Sequence, residues 1–114
     1  MLFRSTNIVI GTSDVGTGFQ TVLSNASSSG KVYKVITILA TNKTDGNCTL
    51  DVNLNMQAAG AGSSTSLSDS MLVPANAGQI VVDKNTPIYV MENRSIVAAA
   101  TTDTDITISY EDIS

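Results

Sequence analysis

A chain of 114 residues with six Lys and Arg against ten Asp and Glu, net charge −4, is long enough for one domain with its own core and leaves little room for a second. Charged residues are only 14% and hydrophobic ones 42% of the chain, which excludes disorder driven by charge. The six cations Arg4, Lys31, Lys34, Lys43, Lys84 and Arg94 are scattered, which argues against a nucleic-acid partner, since backbone binding needs clustered basic contacts.

Residues 1–29 are the least regular. Strand-like runs at 7–10 (NIVI) and 19–23 (FQTVL) are separated by GTSDVGTG, so this third reads as an N-terminal arm or a set of edge strands. Residues 24–30 (SNASSSG) read as a flexible loop. The run 32–40 (VYKVITILA) is apolar on both faces, with Val32, Ile36 and Ile38 on one side and Tyr33, Val35 and Leu39 on the other. Its β-branched content predicts a central strand covered on both sides, the second face meeting a neighbouring subunit. Tyr33, Val35 and Leu39 are therefore the candidate subunit interface, with Tyr33 reading equally well as a core residue.

Residues 42–47 (NKTDGN) predict a hairpin loop, because Asp45-Gly46 readily supplies positive φ between two strands. From 48 to 56, Cys48, Leu50, Val52, Leu54 and Met56 alternate with Thr49, Asp51, Asn53 and Asn55, the period of a half-buried strand. Residues 58–68 (AAGAGSSTSLS) read as the most flexible segment, too poor in large side chains to hold a core position. Shorter strands follow at 79–82 (QIVV), 88–91 (IYVM) and 95–100 (SIVAAA), and Ile106, Ile108 and Tyr110 alternate in a last one. Strands recurring about every 8 to 12 residues with turn residues between them predict an all-β antiparallel sandwich, jelly-roll or Ig-like, with little or no helix, in a single domain.

The chemical inventory is thin. There is no His and no Trp, and Cys48 is the one cysteine, so no intrachain disulfide forms and the commonest general base and metal ligand is missing. No serine sits in a G-x-S-x-G turn. Asp103 and Asp105 in TTDTDIT read as a solvated turn ahead of a strand, as does Asp14, and no spacing matches a calcium loop. The expectation is no catalytic residues, no cofactor and no metal. The aromatic set, Phe3, Phe19, Tyr33, Tyr89 and Tyr110, suits core or interface anchoring better than a stacking platform. A surface of Ser, Thr, Asn and Gly can be desolvated without stranding ions, which suits a crowded protein assembly. The start Met-Leu-Phe-Arg soon turns polar, and no run approaches the ~20 apolar residues of a membrane span. This predicts a protein made in a reducing cytoplasm, with no membrane partner.

The segments GKVYKVITILATN from Gly30, NCTLDVNL from Asn47 and ENRSIVAAATTDTDITISYEDIS from Glu92 resemble small virion structural proteins of tailed phages. The matching residues are Gly30, Lys31, Thr41, Asn42, Ser95, Ile96, Val97, Ser109, Tyr110 and Glu111. The likeness spans about 30–111 and consists of strand and turn patterns. One turn departs from it: where the pattern has Glu-x-Gly-Asp, this chain has Glu92-Asn93-Arg94-Ser95, and Asn tolerates the left-handed geometry. The resemblance implies a β-sandwich subunit located in the virion; the low charge, the polar uncharged surface, the two-faced central strand and the lack of a catalytic set make a non-enzymatic capsid decoration or cement protein the first reading. Its partners would be copies of itself as a homo-oligomer and the major capsid protein. Two further readings are a neck or tail component (connector, terminator or fibre-attachment protein) and a ligand-binding β module using the loops 24–30 and 57–68.

Overall fold

The computed structural model describes residues 7–15, 18–83, 85–102 and 104–113. Their alternating pattern becomes nine strands: β1 (Asn7–Val15), β2 (Gln20–Asn25), β3 (Tyr33–Asn42), β4 (Cys48–Asn55), β5 (Ser64–Val73), β6 (Gly78–Val82), β7 (Ile88–Val90), β8 (Arg94–Ala100) and β9 (Thr104–Asp112). The helical content of the described residues is one 3-10 turn, Ala58–Gly60. Phe3, Arg4, Lys84 and Asp103 lie outside the described residues.

The strands pair antiparallel in two sheets. One has the order β1-β9-β3-β6, with β7 also on β3; the other has the order β2-β8-β4-β5. β7 pairs with Tyr33 to Val35 and β6 with Ile38 to Thr41, so the two occupy successive parts of one edge of β3. The chain changes sheet at almost every connection, and only β4-β5 and β6-β7 stay within one. That is the strand order of a jelly roll, in which two Greek keys wrap a double sheet. Of the two sandwich types that the spacing allows, the jelly roll is the one formed. β1 and β2 are edge strands, one in each sheet.

Between the sheets lies a core of Val35, Ile38 and Ala40 from β3, Leu50 and Val52 from β4, Ile96, Ala98 and Ala100 from β8, and Ile106 and Ile108 from β9. Val73, Val82 and Val90 close it from the shorter strands. Burying a Val, Leu or Ile side chain contributes about 1.5–3 kcal/mol, so these alternating positions supply most of the drive to fold.

Three expectations from sequence are corrected. First, residues 42–47 do not close a hairpin, since β3 and β4 belong to different sheets and the loop arches between them. Asn42 organises it: its buried Nδ2 donates to Gly46 O at 2.8 Å and Val73 O at 3.1 Å, while its Oδ1 accepts from Thr44 N at 2.9 Å. Second, the segment 58–68 is not a free loop. Its second half begins β5, an edge strand that survives without apolar alternation because its backbone pairs with β4. Ser68 Oγ donates to Leu50 O at 3.2 Å, and Asp51 accepts from Ser70 N at 2.6 Å. Two register shifts along this pair twist the edge, one of the ways a sheet avoids pairing with strangers. Third, the strand covered on both faces is β8, in which residues 95–100 are all buried.

β3 is instead bulged. Val35 pairs with Tyr110 and Thr37 with Ser109, leaving Ile36 as an extra residue. One extra residue reverses the phase of a period-two pattern. Tyr33 and Val35 therefore share the inner face with Ile38, Ala40 and Asn42.

Candidate functional site

The three candidate interface residues are not brought together on one surface. Val35 is fully buried in the core. Tyr33 packs against the edge of that core, its ring 5.0 Å from that of Tyr110 and tilted by 56°. Only Leu39 faces outward, and the reason is the bulge at Ile36.

Leu39 sits in register with Ile80 of β6 on one side and Thr107 of β9 on the other. Ile80 is 58% exposed. The next outward rung is Thr37 with Ser109, so among the described side chains the middle of this face carries no charge. Its two ends do: Lys34 lies opposite Glu111, and Lys43 Nζ reaches Asp105 Oδ1 at 3.1 Å. An apolar and hydroxyl centre with charged margins is the anatomy of a protein-protein contact face.

A second feature lies on the outer face of the other sheet, at the loop that the sequence offered as flexible and as a ligand-binding alternative. Residues 57–63 fold back over β2 and β8 and are pinned at successive backbone groups. Ala58 N donates to Asn93 Oδ1 at 3.1 Å, Ala59 N to Ser24 Oγ at 2.9 Å and Gly60 N to Ser95 Oγ at 2.8 Å. Ser95 Oγ in turn donates to Gln57 O at 2.7 Å, and Arg94 Nη1 to Met56 O at 2.9 Å. Asn93 takes its place in this clamp with φ 59°, the left-handed turn geometry anticipated from sequence. Gly60 has φ +75°, and a Cβ there would stand 2.9 Å from Thr21 Oγ1 and 3.2 Å from Val97 Cγ1. Only glycine lets the loop lie this close to the sheet.

The pinned loop forms one wall of a cleft of about 280 Å³ lined by Phe19, Thr21, Asn53, Asn55, Ala59, Gly60, Ser64 and Val97. Phe19 is 54% exposed. Asn55 is 93% buried: its Nδ2 donates to Gly60 O at 2.9 Å, whereas its Oδ1 has no partner among the described residues. A buried acceptor left unpaired costs about 1–3 kcal/mol; this one is shut off from the open part of the cleft, whose accessible hydrogen-bonding groups are those of Asn53, Thr21 and Ser64. The sequence signals were the loop 57–68, offered as a binding loop, and the alternation in DVNLN, which places Asn53 and Asn55 on one outward face. Nothing in the sequence placed Phe19, Thr21 and Gly60 beside them.

Cys48 is buried, with Sγ 3.4 Å from Thr104 Oγ1. Tyr110's phenol is raised above its ordinary value, first by burial and then by Tyr33 and the carboxylate of Asp112. Among the described residues no group of three His, Cys, Asp or Glu is placed to hold a metal. Comparison with family models, with curated proteins and with solved structures gives no match to this chain.

Proposed function

We propose that this chain is a virion structural protein of a tailed phage, a capsid decoration or cement subunit that stabilises the particle by packing against copies of itself and the major capsid protein. The observation that carries the reading is the outward face of the β1-β9-β3-β6 sheet, with Leu39 and exposed Ile80 at the centre of a neutral field and charged pairs at its margins. The jelly roll agrees with it by analogy alone, since that architecture serves viral capsid domains and also lectins and cupins. In a lattice each subunit makes many identical contacts, so a weak single face holds firmly through multivalency.

A neck or tail subunit would use the same face on another part of the particle. The ligand-binding reading has its own support in the cleft beneath residues 57–63. Immunogold microscopy on virus particles from the same source, with antibody raised against the chain, decides among these. Label over heads is expected, label confined to necks or tails moves the subunit there, and particles free of label overturn the reading.

A further inference from the structure

We propose that the cleft between residues 57–63 and the outer face of β4 and β8 is a binding site for one ring of a neutral, hydroxyl-rich ligand, a pyranoside unit of a glycan. Among the described residues that line it none carries a charge, so an anionic or cationic ligand would be desolvated there without compensation. What the lining offers is hydrogen-bonding capacity: the amide of Asn53 and the hydroxyls of Thr21 and Ser64. Amides and hydroxyls both donate and accept, which matches the mixed donor and acceptor character of sugar hydroxyls. The half-exposed ring of Phe19 at the same cleft supplies a flat apolar surface for the C–H face of such a ring.

Size points the same way. The cleft of about 280 Å³ is just below the ~300–1,000 Å³ of pockets for drug-sized molecules, which suits a single ring with its neighbours in solvent. The wall is preformed, because Asn93, Ser24 and Ser95 hold the backbone of residues 58–60 before any ligand arrives, so little ordering is lost on binding. Among the described lining side chains none is an acid or base that titrates near neutrality, which suits holding a ligand rather than cleaving it.

The test is a titration of the isotopically labelled full chain, followed by amide resonances, with the methyl pyranosides of glucose, galactose, mannose and N-acetylglucosamine, and with glucuronate as the charged counterpart. At least one neutral pyranoside is expected to shift the Asn55 side-chain amide and the backbone amides of Gly60 and Val97 saturably, with a dissociation constant on the order of 1 mM or below. Phe19→Ala and Thr21→Val, which keep the fold, are expected to weaken that binding about two- to tenfold. The proposal is overturned if no neutral pyranoside saturates these resonances, if the shifts are indifferent to both variants, or if glucuronate binds as tightly. The titration uses the isolated chain, so its failure leaves the particle-labelling result untouched.

Discussion

Ser95→Ala removes the pin that holds the cleft wall. The hydroxyl is fully buried and used in both directions, accepting from Gly60 N at 2.8 Å and donating to Gln57 O at 2.7 Å. Each neutral hydrogen bond contributes about 0.5–1.5 kcal/mol net, and a partner left unpaired adds to the loss. The methyl group fills nearly the same space, so no large cavity term is added. Gly60 and Gln57 lie in a surface loop and recover part of their hydrogen bonding from water, which sets the expected loss at about 1–3 kcal/mol. Against a total of roughly 5–15 kcal/mol, that lowers the urea midpoint at unchanged slope. Amide exchange adds a local reading: Gly60 should lose its protection, while the core amides of β3 and β9 shift only by the global amount. A loss below about 0.5 kcal/mol with Gly60 still protected would refute the clamp, because surface substitutions with no structural role fall in that range.

Leu50→Asp and Val52→Asp each place an unpaired charge at a fully buried position, a cost of several kcal/mol; neither variant should give soluble folded protein, and an ordinary melting curve from either would refute the register of β4. Tyr33→Ser should lower monomer stability, because the ring packs on the core edge and on Tyr110; an unchanged melt would return Tyr33 to the outer surface. Tyr110 should make stability fall at high pH. Its folded-state pKa is raised above 10.0 by burial, Tyr33 and Asp112, so the folded chain keeps the proton longer than the unfolded one. Its contribution is fully present below about pH 10 and is lost as pH rises through the folded-state value. Urea midpoints for Tyr110→Phe should decline less steeply above that pH than wild type, and identical slopes would remove Tyr110 as the cause.

The sandwich was legible wherever one face of a strand is buried and the other wet, as in β4 and β9, because burial then imposes strict alternation. It was illegible where the backbone does the holding. β5 is held by pairing with β4, and half of it is Ser and Thr, so its composition looks like a linker. The bulge at Ile36 is a single extra residue that no local composition marks, yet it sends Val35 inward and leaves Leu39 outside. The arch at 42–47 has the Asp-Gly of a hairpin, and what decides otherwise is Asn42 reaching the carbonyls of Gly46 and Val73, the second of them 31 residues away. The cleft was hidden for a similar reason. Its walls come from β2, β4, β5, β8 and the loop 57–63, and only the topology brings them to one place.

The measurement that tests the assembly reading most directly is the solution mass of the purified chain over a wide range of concentration, by light scattering behind size exclusion, for wild type and for Leu39→Asp and Ile80→Asp. A mass that is a multiple of the single chain for wild type is predicted, falling to the single-chain mass in both variants with their monomer melting intact, since both positions lie on the outer face. A single-chain mass for wild type at every concentration, or an oligomer indifferent to both substitutions, would contradict a subunit that assembles through this face.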